Sequence, residues 1–272
     1  MKTIIVPTDF SPAALNAANY AADMAKAIDA DLLLFHAFYP FIVYTEVPLL
    51  IDLNSLKENA ESSIDQLKKQ FEHKYGNSLN IRAAVNMGTF INELESVCED
   101  IQPYAVVMGS QGSSASDYRF LGSHSVQVMQ QLKWPVITVP RGAQFSEVKK
   151  IGLAVDFENE IDRDHLKGIK KMVHDFNAEL HVLNVSKKNQ HSPHAIFESG
   201  VLMEMLAPIN YEYHFIVNEN IDEGIIDFAE KNNIDQLIVM PKQHNLLDKL
   251  IHGSHTKQLV LHSHVPVMAL QD

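Results

Sequence analysis

Gly109, Gly112, Gly122 and Ser123 are the residues of this chain best suited to holding an anion. An apolar run over residues 105–108 ends at Gly109, a second glycine follows three positions on, and a Gly-Ser pair returns after nine more residues. A strand, a glycine turn, a loop and a helix start let main-chain N–H groups converge on a phosphate, chemistry that needs donors and no nucleophile. His124 and Ser125 add an imidazole and a hydroxyl just after the pair, and Arg119 inside the loop either reaches a phosphate oxygen or faces solvent. Near the N-terminus, Thr8 and Asp9 close another apolar run. A carboxylate there either meets a ligand or caps the following turn as an Asx group.

These positions need a scaffold, and strand and helix candidates alternate throughout. Residues 3–7 predict a buried strand, and Ser11-Pro12 predicts a helix start, with a side-chain acceptor at the cap and proline at the first helical position. Ala14, Ala18, Ala21, Ala22 and Ala25 let that helix lie close to a sheet. Residues 31–37 read as a strand covered on both faces, 55–75 as a long amphipathic helix, and 80–85 as a third strand. Gly88-Thr89 leads into a helix carrying Cys98, a buried small hydrophobe by its spacing from Leu94 and Ile101. Residues 104–108, 123–132 and 135–139 supply the fourth strand, a helix and the fifth strand. Residues 38–50 are apolar without a period and read as a lid or a partner-facing segment. Such alternation predicts an α/β domain with a doubly wound parallel sheet, its ligand held at the carboxyl ends of the strands where strand order reverses.

The spacing of Gly109, Gly112, Gly122 and Ser123 resembles the nucleotide-binding signature of the universal stress protein family, in its ATP-binding branch. The resemblance implies an adenine nucleotide alpha-hydrolase-like fold with strand order 3-2-1-4-5, which sets Asp9 and Gly109 at the two strand ends flanking the switch. It implies ATP or another adenine nucleotide as ligand. Asp9 then takes the nucleoside, and Gly109, Gly112, Gly122, Ser123 and His124 cradle the phosphates. Ser125 adds a hydroxyl, and Thr8 and Ala37 or Phe38 wall the adenine. No lysine is fixed in the motif, so Mg2+ is expected as a ligand-borne ion, with no dedicated protein metal site. A regulatory, nucleotide-responsive stress protein with at most slow hydrolysis is implied. Neither a Gly-x-x-x-x-Gly-Lys-Ser/Thr motif nor a kinase signature is present. The rivals are an interaction or structural protein with a vestigial site, a true ATPase, and a binder of another ligand such as a cyclic nucleotide.

The sequence restarts at Lys149. Residues 149–157 line up with residues 2–10, placing Asp156 opposite Asp9, and Gly253-Ser-His-Thr mirrors Gly122-Ser-His-Ser. Two domains are expected, over 1–144 and 145–272, so that the resemblance covers nearly the whole chain as a tandem form. The repeat sets Pro241 on Gly109, His244 on Gly112 across a loop one residue shorter, and Asn220 on Gly88. Proline offers no N–H, so the second domain is expected not to hold a triphosphate. The resemblance further implies an intramolecular pseudo-dimer through the fifth strands, a homodimer of whole chains and an unidentified protein partner.

A formal net charge of −12 argues against nucleic acid or an anionic membrane as the main partner, since both require a concentrated basic surface. Cys98 is the single cysteine, which leaves no disulfide framework and no thiolate cluster. The N-terminal apolar run is too short for a signal peptide or a membrane span, and a cytoplasmic location is the expectation. Eleven of the fourteen histidines follow residue 148. The pairs His252/His255 and His262/His264 lack the further ligands of a tetrahedral zinc site, so structural or solvent-facing roles are expected.

Overall fold

A computed structural model describes residues 1–40, 52–110, 123–157, 163–187, 193–240 and 255–270. In the first half, β1 (Lys2–Pro7), β2 (Ala30–Phe38), β3 (Ile81–Met87), β4 (Ala105–Gly109) and β5 (Val136–Val139) alternate with α1 (Pro12–Ala27), α2 (Leu53–Tyr75), α3 (Phe90–Ile101) and α4 (Ser123–Gln131). The second half repeats the pattern. Its strands are β6 (Lys150–Ala154), β7 (Glu179–Ser186), β8 (Tyr211–Val217), β9 (Gln236–Val239) and β10 (Val267–Ala269), and its helices are α5 (Arg163–Phe176), α6 (Pro193–Leu206), α7 (Ile221–Lys231) and α8 (His255–His262).

The ten strands of the described residues join one sheet in the order 3-2-1-4-5-10-9-6-7-8. Each half therefore carries 3-2-1-4-5, and the halves meet through their fifth strands. β5 and β10 run antiparallel, with Val136 opposite Ala269 and Thr138 opposite Val267, while every other pairing is parallel. The strands are apolar on both faces because helices cover both. On one face Ile4, Val6, Leu32 and Leu34 pack beneath α1 and α2. On the other, Ile5, Leu33, Phe35 and Val106 meet Leu94 and Cys98 of α3, Val128 and Met129 of α4, and Leu132 just after it. Ala17, Ala18, Ala21, Ala22 and Ala25 of α1 are fully buried, which lets this helix approach the sheet closely.

The helix ends explain themselves locally. Ser11 caps α1, its hydroxyl accepting from the Ala14 N–H at 3.2 Å, with Pro12 at the first helical position. Asp29, Gln102, Asn177 and Asn233 take left-handed backbone (φ 53°, 51°, 50° and 53°) just after α1, α3, α5 and α7, closing corresponding helices of the two halves alike. Contacts also cross between halves. Lys2 Nζ lies 2.8 Å from Asp175 Oδ1, and Phe145 packs against Tyr20 of α1 and Phe176 of α5, with ring centroids 5.3 Å and 6.3 Å away.

The strand register corrects the correspondence expected between the two halves. Thr8 N–H donates to Phe35 O and Val155 N–H to Leu183 O, so residue 8 corresponds to residue 155. Ile4 lies opposite Ala105 and Ile151 opposite Gln236, which makes Met240 and not Pro241 the counterpart of Gly109. Pro241 falls instead on Ser110. From Gly109 to Gly122 and from Met240 to Gly253 the count is thirteen residues each, so the loop is not shorter and Gln243, not His244, matches Gly112. Likewise Gly88 N–H donates to Phe38 O and Asn218 N–H to Ser186 O, which pairs Gly88 with Asn218 and not Asn220. A buried parallel strand has no polar alternation to mark its register, so a slip leaves its apolar character unchanged.

Candidate functional site

The turn after β1 is held by three side chains in succession. Thr8, 6% exposed, accepts the Phe10 N–H on its Oγ1 at 3.0 Å. Asp9 accepts the Ser11 N–H on Oδ1 at 3.0 Å, the Asx role foreseen for it. The cap on α1 follows from Ser11. Between them Phe10 sits at φ 62°, the left-handed region that a bulky side chain rarely adopts. Among the described non-glycine residues with positive φ, Phe10 alone opens a helix instead of closing one, which concentrates strain beside Asp9. Asp9 is exposed, above the buried end of β1.

His36, at the end of β2, fixes this turn from the side. Its Nδ1 lies 2.7 Å from Thr8 O, so that nitrogen carries the proton, and its ring sits 4.8 Å from that of Phe10. The sequence reading passed over His36 and Phe10. The available signal was a histidine interrupting an apolar strand directly after Phe35. Ala37, half-buried, follows on the opposite face with the α3 and α4 core, in register with Asn86. At the end of β3, Asn86 donates to Glu93 Oε2 at 3.0 Å, and the Glu93 carboxylate lies directly against Gly88, in the space a side chain would need.

Gly109 ends β4 beside this turn. The register of β1 on β4 runs from Ile4 opposite Ala105 and, continued, sets Thr8 level with Gly109. A Cβ on Gly109 would stand 2.9 Å from Ala13 O and 3.1 Å from Ala13 C, backbone atoms in the first turn of α1. Glycine is therefore required here by close approach of two main chains. Ser125, 3% exposed, donates from Oγ to Gly109 O at 2.8 Å and so ties the first turn of α4 to the end of β4. This bond makes the Ser125 hydroxyl a positioning group for α4. Ser123 and His124 begin α4 by their backbone. Gly112, Arg119 and Gly122 lie outside the described residues, as do residues 41–51 of the apolar segment and the side chains of Ser123 and His124.

The second half keeps the scaffold and changes the fittings. Asn184 stands where His36 does, and its Nδ2 donates to Val155 O at 3.0 Å as His36 does to Thr8 O. Phe157, matching Phe10, is fully buried. Met240 replaces Gly109. A groove of about 320 Å³ lies between α5 and α6, lined by Leu166, Val201, Met205, Lys167, Lys170 and Glu204, all of them helical.

A ten-stranded sheet with 3-2-1-4-5 in each half, and a glycine turn at the fourth strand of the first, places the chain in the doubly wound, Rossmann-like α/β class. The universal stress protein family profile matches residues 1–140 and again residues 147–271, and the chain belongs to that family in its tandem form. The universal stress protein Slr1230 of Synechocystis is 25% identical over 189 residues, a match covering 68% of this chain and 63% of that protein. The chain thus spans less than two thirds of that relative. The universal stress protein MJ0531 of Methanocaldococcus jannaschii is 29% identical over 146 residues, covering 52% of this chain and 82% of its own length. A crystal structure of a universal stress protein from Archaeoglobus fulgidus shares the fold, with a TM-score of 0.74 at 20% identity, covering 99% of this chain and 98% of that one. Among the described residues no helix is long and apolar enough to cross a membrane.

Proposed function

We propose that the first half binds an adenine nucleotide, ATP foremost, at the carboxyl ends of β1 and β4, and that the occupied state regulates a stress response through a protein partner. The observation that carries this reading is the convergence at one strand-order switch of the Asp9 turn, the Gly109 backbone pressed against α1, and the first turn of α4 tied to Gly109 by Ser125. Asp9 takes the nucleoside, with Thr8 and Ala37 on the adenine side. Main-chain donors of Gly109, Gly112, Gly122 and Ser123, with His124 and Arg119 beside them, take the phosphates. The N-terminus of α4 adds about 0.3–1 kcal/mol of attraction for negative charge. Mg2+ travels with the phosphates. Hydrolysis requires an oriented water and stabilisation of developing charge beyond a cradle, so the site is assigned to binding, with slow hydrolysis at most.

The modules are taken as 1–144 and 145–272, acting in the cytoplasm, with whole chains able to dimerise. The second module serves as scaffold without a triphosphate site, since Met240, Pro241, Gln243 and Asn218 replace Gly109, Ser110, Gly112 and Gly88. The test is mass spectrometry of ligand released from the purified full chain, followed by calorimetry with ATP, ADP and AMP. Asp9→Ala is expected to weaken ATP binding by at least about 10-fold, equivalent to about 1.4 kcal/mol, while Asp156→Ala leaves it unchanged. Absence of binding at saturating ATP, or equal losses from both substitutions, refutes the reading.

A further inference from the structure

Two histidines of the second half meet across β7 and β8, away from the strand-order switch. His181 Nδ1 lies 3.0 Å from His214 Nε2, and Glu212 Oε2 stands 3.7 Å from each of these nitrogens. The register accounts for the meeting. His181 lies opposite Glu212 and Leu183 opposite His214, which sets the three on one face of adjacent strands, with His214 two residues beyond the partner of His181. Phe228 of α7 packs on both imidazoles, its centroid 4.5 Å from His214 and 6.5 Å from His181. His181 is 5% exposed, yet its buried Nε2 has no hydrogen-bond partner; Glu179 Oε2 stands 3.8 Å from it.

A buried imidazole with an unmatched nitrogen is costly for a position that a hydrophobe could fill. The first half shows the hydrophobic solution, because Leu33, Arg82 and Ala84 occupy the positions equivalent to His181, Glu212 and His214. The cluster is therefore an addition to the second half and not a demand of the scaffold. Its edges of 3.0, 3.7 and 3.7 Å approximate one face of a coordination tetrahedron. Two ligands about 2.1 Å from a zinc ion at the tetrahedral angle stand about 3.4 Å apart.

We propose that His181, Glu212 and His214 bind a divalent transition-metal ion, with Zn2+ the best match to two imidazoles and one carboxylate. Glu212 is exposed, so water completes the fourth position from the solvent side. On metal binding Glu179 closes the 3.8 Å gap to His181 Nε2 and accepts its N–H as the outer carboxylate, which fixes the tautomer whose Nδ1 lone pair faces the ion. The ion ties β8, the terminal strand of the sheet, to β7. Spacing along the chain concealed this set, since His181 and His214 come together only through strand pairing.

The test uses the full chain stripped with chelator, then titrated with ZnCl2 by calorimetry and with CoCl2 by visible absorption. One Zn2+ per chain, four-coordinate Co2+ bands and a thermal midpoint that rises with zinc are expected. Glu212→Gln and His214→Leu, at positions open enough to tolerate change, each weaken zinc binding by more than about 10-fold, and Glu179→Gln by about 10–100-fold. The double substitution His252→Ala with His255→Ala leaves binding intact. Failure to bind zinc, binding indifferent to Glu212→Gln and His214→Leu, or binding lost with His252 and His255 overturns the proposal.

Discussion

Gly109→Ala is the sharpest perturbation of the candidate site. The added Cβ would lie 2.9 Å from Ala13 O, 3.1 Å from Ala13 C and 3.2 Å from Ala13 Cβ. Two of these are main-chain atoms of α1, and α1 cannot easily retreat because Ala14, Ala17, Ala18 and Ala21 are buried against the sheet. Overpacking of this kind costs about 1–3 kcal/mol. For a chain of this size that is a fall in melting temperature of about 2–12 °C, at about 2–4 °C per kcal/mol. Gly152→Ala is the matched control. Its Cβ would first meet side-chain atoms, Leu237 Cδ2 at 3.0 Å, Ile234 Cγ2 at 3.2 Å and Leu183 Cδ1 at 3.4 Å, of which the two leucine methyls can turn aside. The smaller loss belongs to Gly152→Ala, with ATP affinity preserved, whereas Gly109→Ala separates β4 from α1 and lowers that affinity as well. The assays are thermal melting and calorimetry on both variants. Equal melting of Gly109→Ala and the parent, or a larger loss in Gly152→Ala, would refute the reasoning.

Three further outcomes follow from single contacts. His36→Ala removes the 2.7 Å bond to Thr8 O and is expected to cost about 1–2 kcal/mol and weaken nucleotide binding; His36→Asn restores much of both, as Asn184 already does in the second half, and melting curves of the pair decide it. Gly168 and Gly200 lie exposed within α5 and α6 with nothing within 4 Å of an added Cβ, so Gly168→Ala and Gly200→Ala each stabilise by about 0.5–1 kcal/mol, read as a rise in the denaturant midpoint. Burial, and secondarily the charge of Glu95, pushes the Cys98 thiol up to about 12, so a thiol reagent at pH 8 leaves native protein unlabelled and labels it fully once unfolded.

The alternation of elements was legible because each strand is a continuous apolar run and each helix carries a cap or a stripe. Ser11-Pro12 set the start of α1, the alanines set its burial, and the repeat at Lys149 set the second half. The site was legible to the extent that glycine spacing marks where two backbones meet: Gly109 faces Ala13 as such a residue should. Ser125 shows what spacing leaves open, since a helix-start hydroxyl can serve a ligand or a carbonyl, and its Oγ donates to Gly109 O. Register was not legible. Residues 105–108 and 237–240 are apolar at either offset, and the Ile4–Ala105 and Ile151–Gln236 pairings choose between them. His36 and the His181–Glu212–His214 group also escaped, because their partners lie on neighbouring strands and leave no trace in spacing along one strand.

The joint between the halves explains why a module without the glycine loop is retained. β5 has only four residues, all at most 1% exposed, and β10 occupies its outer edge in an antiparallel ladder supported by Thr138 Oγ1 donating to Val267 O at 3.2 Å. Without β10, the N–H and C=O groups of β5 become an open edge beside an apolar core, a template for another chain. An antiparallel pair relates its strands by an approximate twofold, so β5 of a second copy can take the place of β10. Residues 1–144 expressed alone are therefore expected to sediment as a dimer. Thr138→Pro in that fragment removes the ladder N–H at the centre of the edge and shifts it to monomer or aggregate. A fragment that stays monomeric and folded at micromolar concentration would show that the second half does more than close this edge.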